Sequence, residues 1–171
     1  MVSFIKRHKI LCSVLLCLLC AVLVVTLIYH IHCYLSVHTY MIEDFGDYKD
    51  DFAVLADFCS AYAAQNPPAE GESPWFYCER DSLSYNGQPI ALPDETLNCL
   101  GRVAGAFPHK DAQLDLIRCT GDTVYFVTHN GQYAVVYSPN DTPTSVSGLS
   151  ADDVFIVNAS DGWYHVARNN H

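Results

Sequence analysis

An uncharged apolar run from Ile10 to Ile31, opening just after Lys6, Arg7 and Lys9, constrains this chain more than any other feature. Its clearly polar members are Ser13, Thr26 and His30, with Cys12, Cys17, Cys20 and Tyr29 only mildly so. At 1.5 Å per helical residue the run reaches roughly 33 Å, the hydrocarbon thickness of a bilayer. Lipid offers no hydrogen-bond partner to the backbone, so such a segment must be helical there. It is longer than the apolar core of a secretory signal peptide, about 7–15 residues. The following Ile31-His32-Cys33-Tyr34-Leu35 supplies no small-x-small cleavage site, and no cysteine follows the small residue that a lipoprotein signal needs. The expectation is a retained anchor in the cell membrane. Its basic flank holds the N-terminus in the cytoplasm. This gives a cytoplasmic tail 1–9, a transmembrane helix 10–31, a juxtamembrane linker 32–42 and an extracytoplasmic domain 43–171.

Charge narrows the partners of that domain. All 19 acidic residues follow the run, against six Lys or Arg: Lys49, Arg80, Arg102, Lys110, Arg118 and Arg168. A surface near −13 repels nucleic acid and anionic lipid headgroups, and it favours solubility. Some 130 residues suffice for one domain with its own core.

Residues 43–64 are expected to form an amphipathic helix. Phe45, Phe52, Leu55, Cys59, Tyr62 and Ala63 share one face, and Asp47, Asp50, Asp51 and Asp57 the other. The prolines of Asn66–Pro74 end it. A second helix opens at Pro93-Asp94-Glu95, carries the stripe Leu97, Leu100, Val103, Ala104 and Phe107, and stops at Pro108. The strands expected are Trp75–Glu79, then Leu83–Tyr85 and Gln88–Ala91 around the hairpin signal Asn86-Gly87. A meander follows in Leu114–Cys119, Thr123–Thr128 and Gln132–Ser138, with turns at Gly121 and at Asn130-Gly131. After a loop from Ser138 to about Asp152, a last hairpin pairs Val154–Val157 with Trp163–Ala167. The predicted fold class is α+β, two helices packed on an antiparallel sheet beyond the membrane helix. The element order resembles the PAS-like ectodomains of membrane sensors, although a nine-residue cytoplasmic tail cannot signal alone.

Four cysteines, Cys12, Cys17, Cys20 and Cys33, lie in or beside the apolar run, and four, Cys59, Cys78, Cys99 and Cys119, in the domain. Outside the cytoplasm the second set is a candidate disulfide framework with three possible pairings, or else four buried thiols. Cys59, on the apolar helix face, is expected to meet Cys78 or Cys119. Without a C-x-x-C in the domain, thiol oxidoreductase chemistry is not expected.

No cofactor or metal is expected. His30, His32, Cys33 and His38 offer zinc or copper donors, but His30 and His32 turn to different sides of a helix. Asn158-Ala159-Ser160-Asp161-Gly162 echoes a calcium loop, yet Asn169 stands where a bidentate acid belongs. There is no G-x-S-x-G, H-E-x-x-H or phosphate loop, and His109, His129 and His165 are scattered singly. His165 alternates with Tyr164 on opposite strand faces. Asn140-Asp141-Thr142 and Asn158-Ala159-Ser160 fit the N-glycosylation pattern, which matters only in a eukaryotic source.

Aromatic residues crowd the predicted strands, and Trp75, Tyr77, Tyr133, Trp163 and Tyr164 are the candidates for an outward binding face; otherwise they build the core. Gly162-Trp163-Tyr164-His165-Val166 resembles the hairpin of bacterial SH3-type domains, which engage cell-wall peptides and other ligands. That family's glycine-rich start and closing Gly-Trp-Val are missing here, so its function does not carry over. The expected role is a non-catalytic interaction or accessory domain that meets a protein, peptide or glycan outside the cytoplasm. Two alternatives are a sensor-like or assembly subunit acting through the membrane helix, and a tethered enzyme, which would need a deep pocket with convergent polar groups.

Overall fold

The computed structural model describes residues 2–68, 74–79, 81–108, 113–128, 131–148 and 154–168, with side chains left aside in 2–12 and 32–39. Arg80, His109, Lys110, His129, Asn130, the middle of the Asn66–Pro74 loop and the end of the loop that starts at Ser138 fall outside these residues, as do the side chains of Cys12, His32, Cys33 and His38. The chain divides into two compact units, Met1–Leu35 and Ser36–His171.

The first unit is helical. Helix α1 runs Val2–Tyr40, and its stretch Ser13–Ile31, with a mean hydropathy of 2.8 and no buried residue, is long and apolar enough to cross a membrane. The same helix runs on through most of 32–42. No proline or glycine interrupts Ile31–Tyr40, so the backbone stays helical to Tyr40.

The second unit is α+β. Its elements are α2 (Phe45–Gln65), β1 (Trp75–Glu79), β2 (Ser82–Tyr85), β3 (Gln88–Ile90), α3 (Asp94–Ala106), β4 (Leu114–Thr120), β5 (Thr123–Thr128), β6 (Tyr133–Tyr137), β7 (Val154–Ser160) and β8 (Trp163–Arg168). All eight strands join one antiparallel sheet in the order β3-β2-β1-β4-β5-β6-β8-β7. The expected strands are all present, with no end more than three residues from its expected place. The link between the early strands and the later meander is the β1–β4 pairing, with Phe76 opposite Ile117. Asn86, at a φ of 48°, and Gly87, at 78°, make the left-handed pair that a two-residue hairpin turn demands.

Helices α2 and α3 cover one sheet face. Phe52 is fully buried, with ring centroids 4.9 Å from Phe126, 5.4 Å from Phe45 and 5.9 Å from Trp163. Around it gather Leu55, Phe76, Leu100, Val103, Ile117, Tyr133 and Val135. The last residue of α1 joins this core, since the Tyr40 ring lies 6.1 Å from that of Tyr133.

Two details of the helix faces differ from expectation. On α3 the buried stripe is Thr96, Cys99, Leu100 and Val103, followed by Phe107 just past the helix; Leu97 is 36% exposed and Ala104 is half-buried. The packing angle turns Cys99 inward in place of Leu97. On α2, Asp51 is buried rather than solvated, because Arg102 of α3 reaches across to it.

Candidate functional site

Strand alternation gives the sheet a helix-covered inner face and an outer face. Tyr125, Val127, Ala134, Val136 and Val166 point outward, yet they are buried. Their cover is the segment 138–148, which lays the fully buried Val146 on them. One bond fastens the segment to the sheet and two close a turn within it. Arg118 donates from Nη1 to the Ser147 carbonyl at 2.9 Å, and the Ser145 hydroxyl accepts from the Ser147 and Gly148 backbone N–H groups. Outer β5, β6 and β8 thus form a second small core.

Among the described residues, the outer face of β1 remains open. Trp75 and Tyr77 alternate with the buried Phe76, so both project outward. Tyr77 is 48% exposed, flanked across the ladders by Ser84 of β2 and Leu116 of β4. Arg118, opposite Trp75, lays its guanidinium over the indole at 4.8 Å from the ring centroid. That cation–π contact holds the indole flat while the same arginine anchors the strap. Burial of Arg118 lowers its pKa from the usual guanidinium range, with the nearby Tyr125 hydroxyl opposing. The patch is an aromatic surface with the hydroxyl groups of Ser84 and Tyr77 beside it.

The five aromatic candidates therefore separate. Trp75 and Tyr77 share the open patch. Tyr164 also faces outward, but it packs against the second core and lies four strand spacings from β1, roughly 19 Å. Tyr133 and Trp163 are on the inner face, 0% and 3% exposed, because each is in register with core residues rather than solvent. His165 is inward and buried, opposite in face to Tyr164, and its Nδ1 meets the Tyr133 hydroxyl. Burial pushes the Tyr133 phenol well above its ordinary range, with the Ile42 backbone a partial counterweight. Leu116 and Arg118 belong to the patch and escaped sequence reasoning, since only the β1–β4 register brings them beside Tyr77 and Trp75.

The four domain cysteines stand as free thiols. Three of them converge. Burial raises the Cys59 thiol well above its ordinary range, and the neighbouring Cys119 and Cys78 raise it further. The Ser60 hydroxyl points at Cys119 Sγ from 3.8 Å, and burial pushes that thiol up to about 11. Cys99 lies apart, 3.5 Å from Arg102 Nη2 and beside Asp51.

Two grooves of the second unit carry ionisable side chains. One, about 400 Å³, runs between α3 and the ends of β1 and β4, lined by Cys78, Glu79, Asp81, Gly101, Ala104 and Gln113 among others. Burial raises the Cys78 thiol strongly, with Asp115 adding to the effect, which is the opposite of what a nucleophile needs. The other, about 310 Å³, is lined by Lys49, Asp57, Tyr137, Asp161 and Trp163. Its amine is engaged, as Lys49 Nζ donates to Ser160 Oγ at 2.8 Å. Among the described residues no group of three or more His, Cys, Asp or Glu is placed to hold a metal ion. Comparison with protein-family models, with curated proteins and with solved structures finds no match to this chain.

Proposed function

We propose that the chain is a single-pass membrane protein, N-terminus in the cytoplasm, whose second unit is a non-catalytic interaction domain outside the cytoplasm. The patch of Trp75, Tyr77, Leu116 and Arg118 would be its contact surface for a protein, peptide or glycan partner. The observation that carries this reading is the exposure of Tyr77, 48%, in mid-strand, beside an indole pinned by Arg118. The strap covers the outer faces of β5, β6 and β8 and, among the described residues, leaves the aromatic pair of β1 uncovered. Exposed aromatics in a preformed, rigid setting lose little entropy on binding. The apolar stretch Ser13–Ile31, with its basic N-terminal flank, supports the anchor and its orientation.

The test is photocrosslinking in native membranes followed by purification of the full chain. Wild-type protein should capture a discrete species that Tyr77→Ala and Trp75→Ala lose, while thermal unfolding of Tyr77→Ala stays near wild type. Capture of the same species by both variants would reject the patch. Protease added to intact cells should remove the C-terminal unit; a protected C-terminal unit would reject the orientation.

A further inference from the structure

The two edges of the sheet are unlike. Strand β3 has three residues with Pro89 at its centre, and a proline that donates no hydrogen bond blunts an edge against further pairing. Strand β7 has seven residues, VFIVNAS, with neither charge nor proline and a single irregularity between Asn158 and Ser160. Among the described residues no strand pairs with its outer side. Alternate residues of an edge strand turn their N–H and C=O groups away from the neighbour, and a long uncharged edge is a template for an added strand. Its Ile156 side chain is 36% exposed on the outer face, available to an incoming residue alongside.

Charge indicates what the added strand carries. The groove of Asp57, Asp161, Tyr137 and Trp163 adjoins the end of β7, because Lys49 both lines it and donates to Ser160. Its two carboxylates outnumber the one ammonium of Lys49, so the groove keeps a net negative charge and, with its aromatic rings, suits an incoming cation. A strand running antiparallel to β7 would bring its N-terminal residues to that end. A second copy of this chain is a poor occupant, since each copy carries the same 19 acidic residues against six basic ones beyond the apolar run. We infer that β7 is a docking edge for an extended partner segment, bound by strand addition, with lysine or arginine at its N-terminal end seated between Asp57 and Asp161. This edge lies at the opposite end of the sheet from the Trp75–Tyr77 patch and does not depend on it.

The probe is a fluorescein-labelled, C-terminally amidated peptide, Lys-Lys-Val-Thr-Val-Thr-Val, titrated into the full chain in a neutral maltoside detergent with fluorescence anisotropy as readout. Saturable binding is expected. N-methylation of alternate peptide residues should abolish it, because main-chain hydrogen bonds carry the affinity. Replacing both lysines by glutamate should weaken it at least tenfold. Asp161→Lys, an exposed turn substitution, should weaken the lysine peptide about twofold to fivefold, and Tyr77→Ala should leave it unchanged. Absence of saturation up to about 1 mM peptide, indifference to N-methylation, or equal binding of the glutamate peptide would overturn the inference. So would self-association of the chain in sedimentation that Ile156→Lys abolishes, which would make a second copy the occupant.

Discussion

Gly148 passes so close to Tyr125 that a Cβ built on it would stand 2.7 Å from the ring's Cε2 atom. With a φ of +68°, the residue also occupies the left-handed region that favours glycine. The strap over the outer sheet face closes at this contact. Gly148→Ala should therefore destabilise the chain by about 2 kcal/mol or more, from the left-handed penalty together with overpacking. Combining it with Tyr125→Leu should make the two costs non-additive, because the ring is what the new methyl meets. Thermal unfolding of the three variants measures this; additive costs would show that the strap is not closed there.

Phe52 joins the helices to the sheet. Fully buried among Phe45, Phe107, Phe126 and Trp163, it has no route by which neighbours could close the space it leaves. Phe52→Ala should cost about 3–5 kcal/mol, whereas Leu97→Ala, on the same unit but exposed, should change stability by no more than about 1 kcal/mol. Chemical denaturation followed by the emission of the two tryptophans, Trp75 and Trp163, reports both.

Asp51 and Arg102 connect α2 to α3 by a forked ion pair, with Nε donating to Oδ2 at 2.7 Å and Nη2 to Oδ1. The arginine's hydrogen bonds hold the Asp51 carboxyl below its ordinary value of 3.8, with burial opposing. A carboxyl whose folded pKa is depressed contributes stability above its unfolded pKa and loses it as pH falls through the folded value. Wild type should thus lose this contribution below about pH 4. Asp51→Asn should be less stable at pH 7 and show a shallower fall in Tm on acidification. A parallel Tm-against-pH curve for the variant would show that the pair does not couple folding to protons.

The domain thiols should react slowly in the native state. Burial raises Cys59, Cys78 and Cys119 above the ordinary range, so little thiolate is present at pH 8. Alkylation without reductant should leave Cys59 unmodified in the folded chain and label all four domain cysteines after denaturation. Peptide mass mapping reads the result, and a denatured chain with an unlabelled, reducible pair among Cys59, Cys78, Cys99 and Cys119 would contradict it.

Much of the fold was legible in the chain. Local chemistry marks its own boundaries: Asn86-Gly87 for a hairpin, Pro93-Asp94-Glu95 for a helix start, Pro108 for a stop, and an unbroken apolar run for a helix suited to lipid. Period-3.6 spacing placed Phe45, Phe52, Leu55 and Cys59 correctly on the buried face of α2, since a helix facing a core needs one apolar stripe. The burial of Asp51 was not legible, because its cause, Arg102, is on another helix. Period-2 alternation could say that neighbours such as Tyr164 and His165 point opposite ways, but not which of the two faces the helices.

Sequence alone therefore determined the helices, the strands and the acidic character of the unit beyond the apolar run, all properties of neighbours along the chain. Tertiary structure decided which aromatics are surface. Pairing β1 with β4 set Arg118 against Trp75 and Leu116 beside Tyr77, helix packing took Tyr133 and Trp163 into the core, and the strap hid the outer faces of β5 and β6. Exposure depends on what lies across the gap, and contacts between residues distant in sequence are fixed only when long loops close and bury apolar area together.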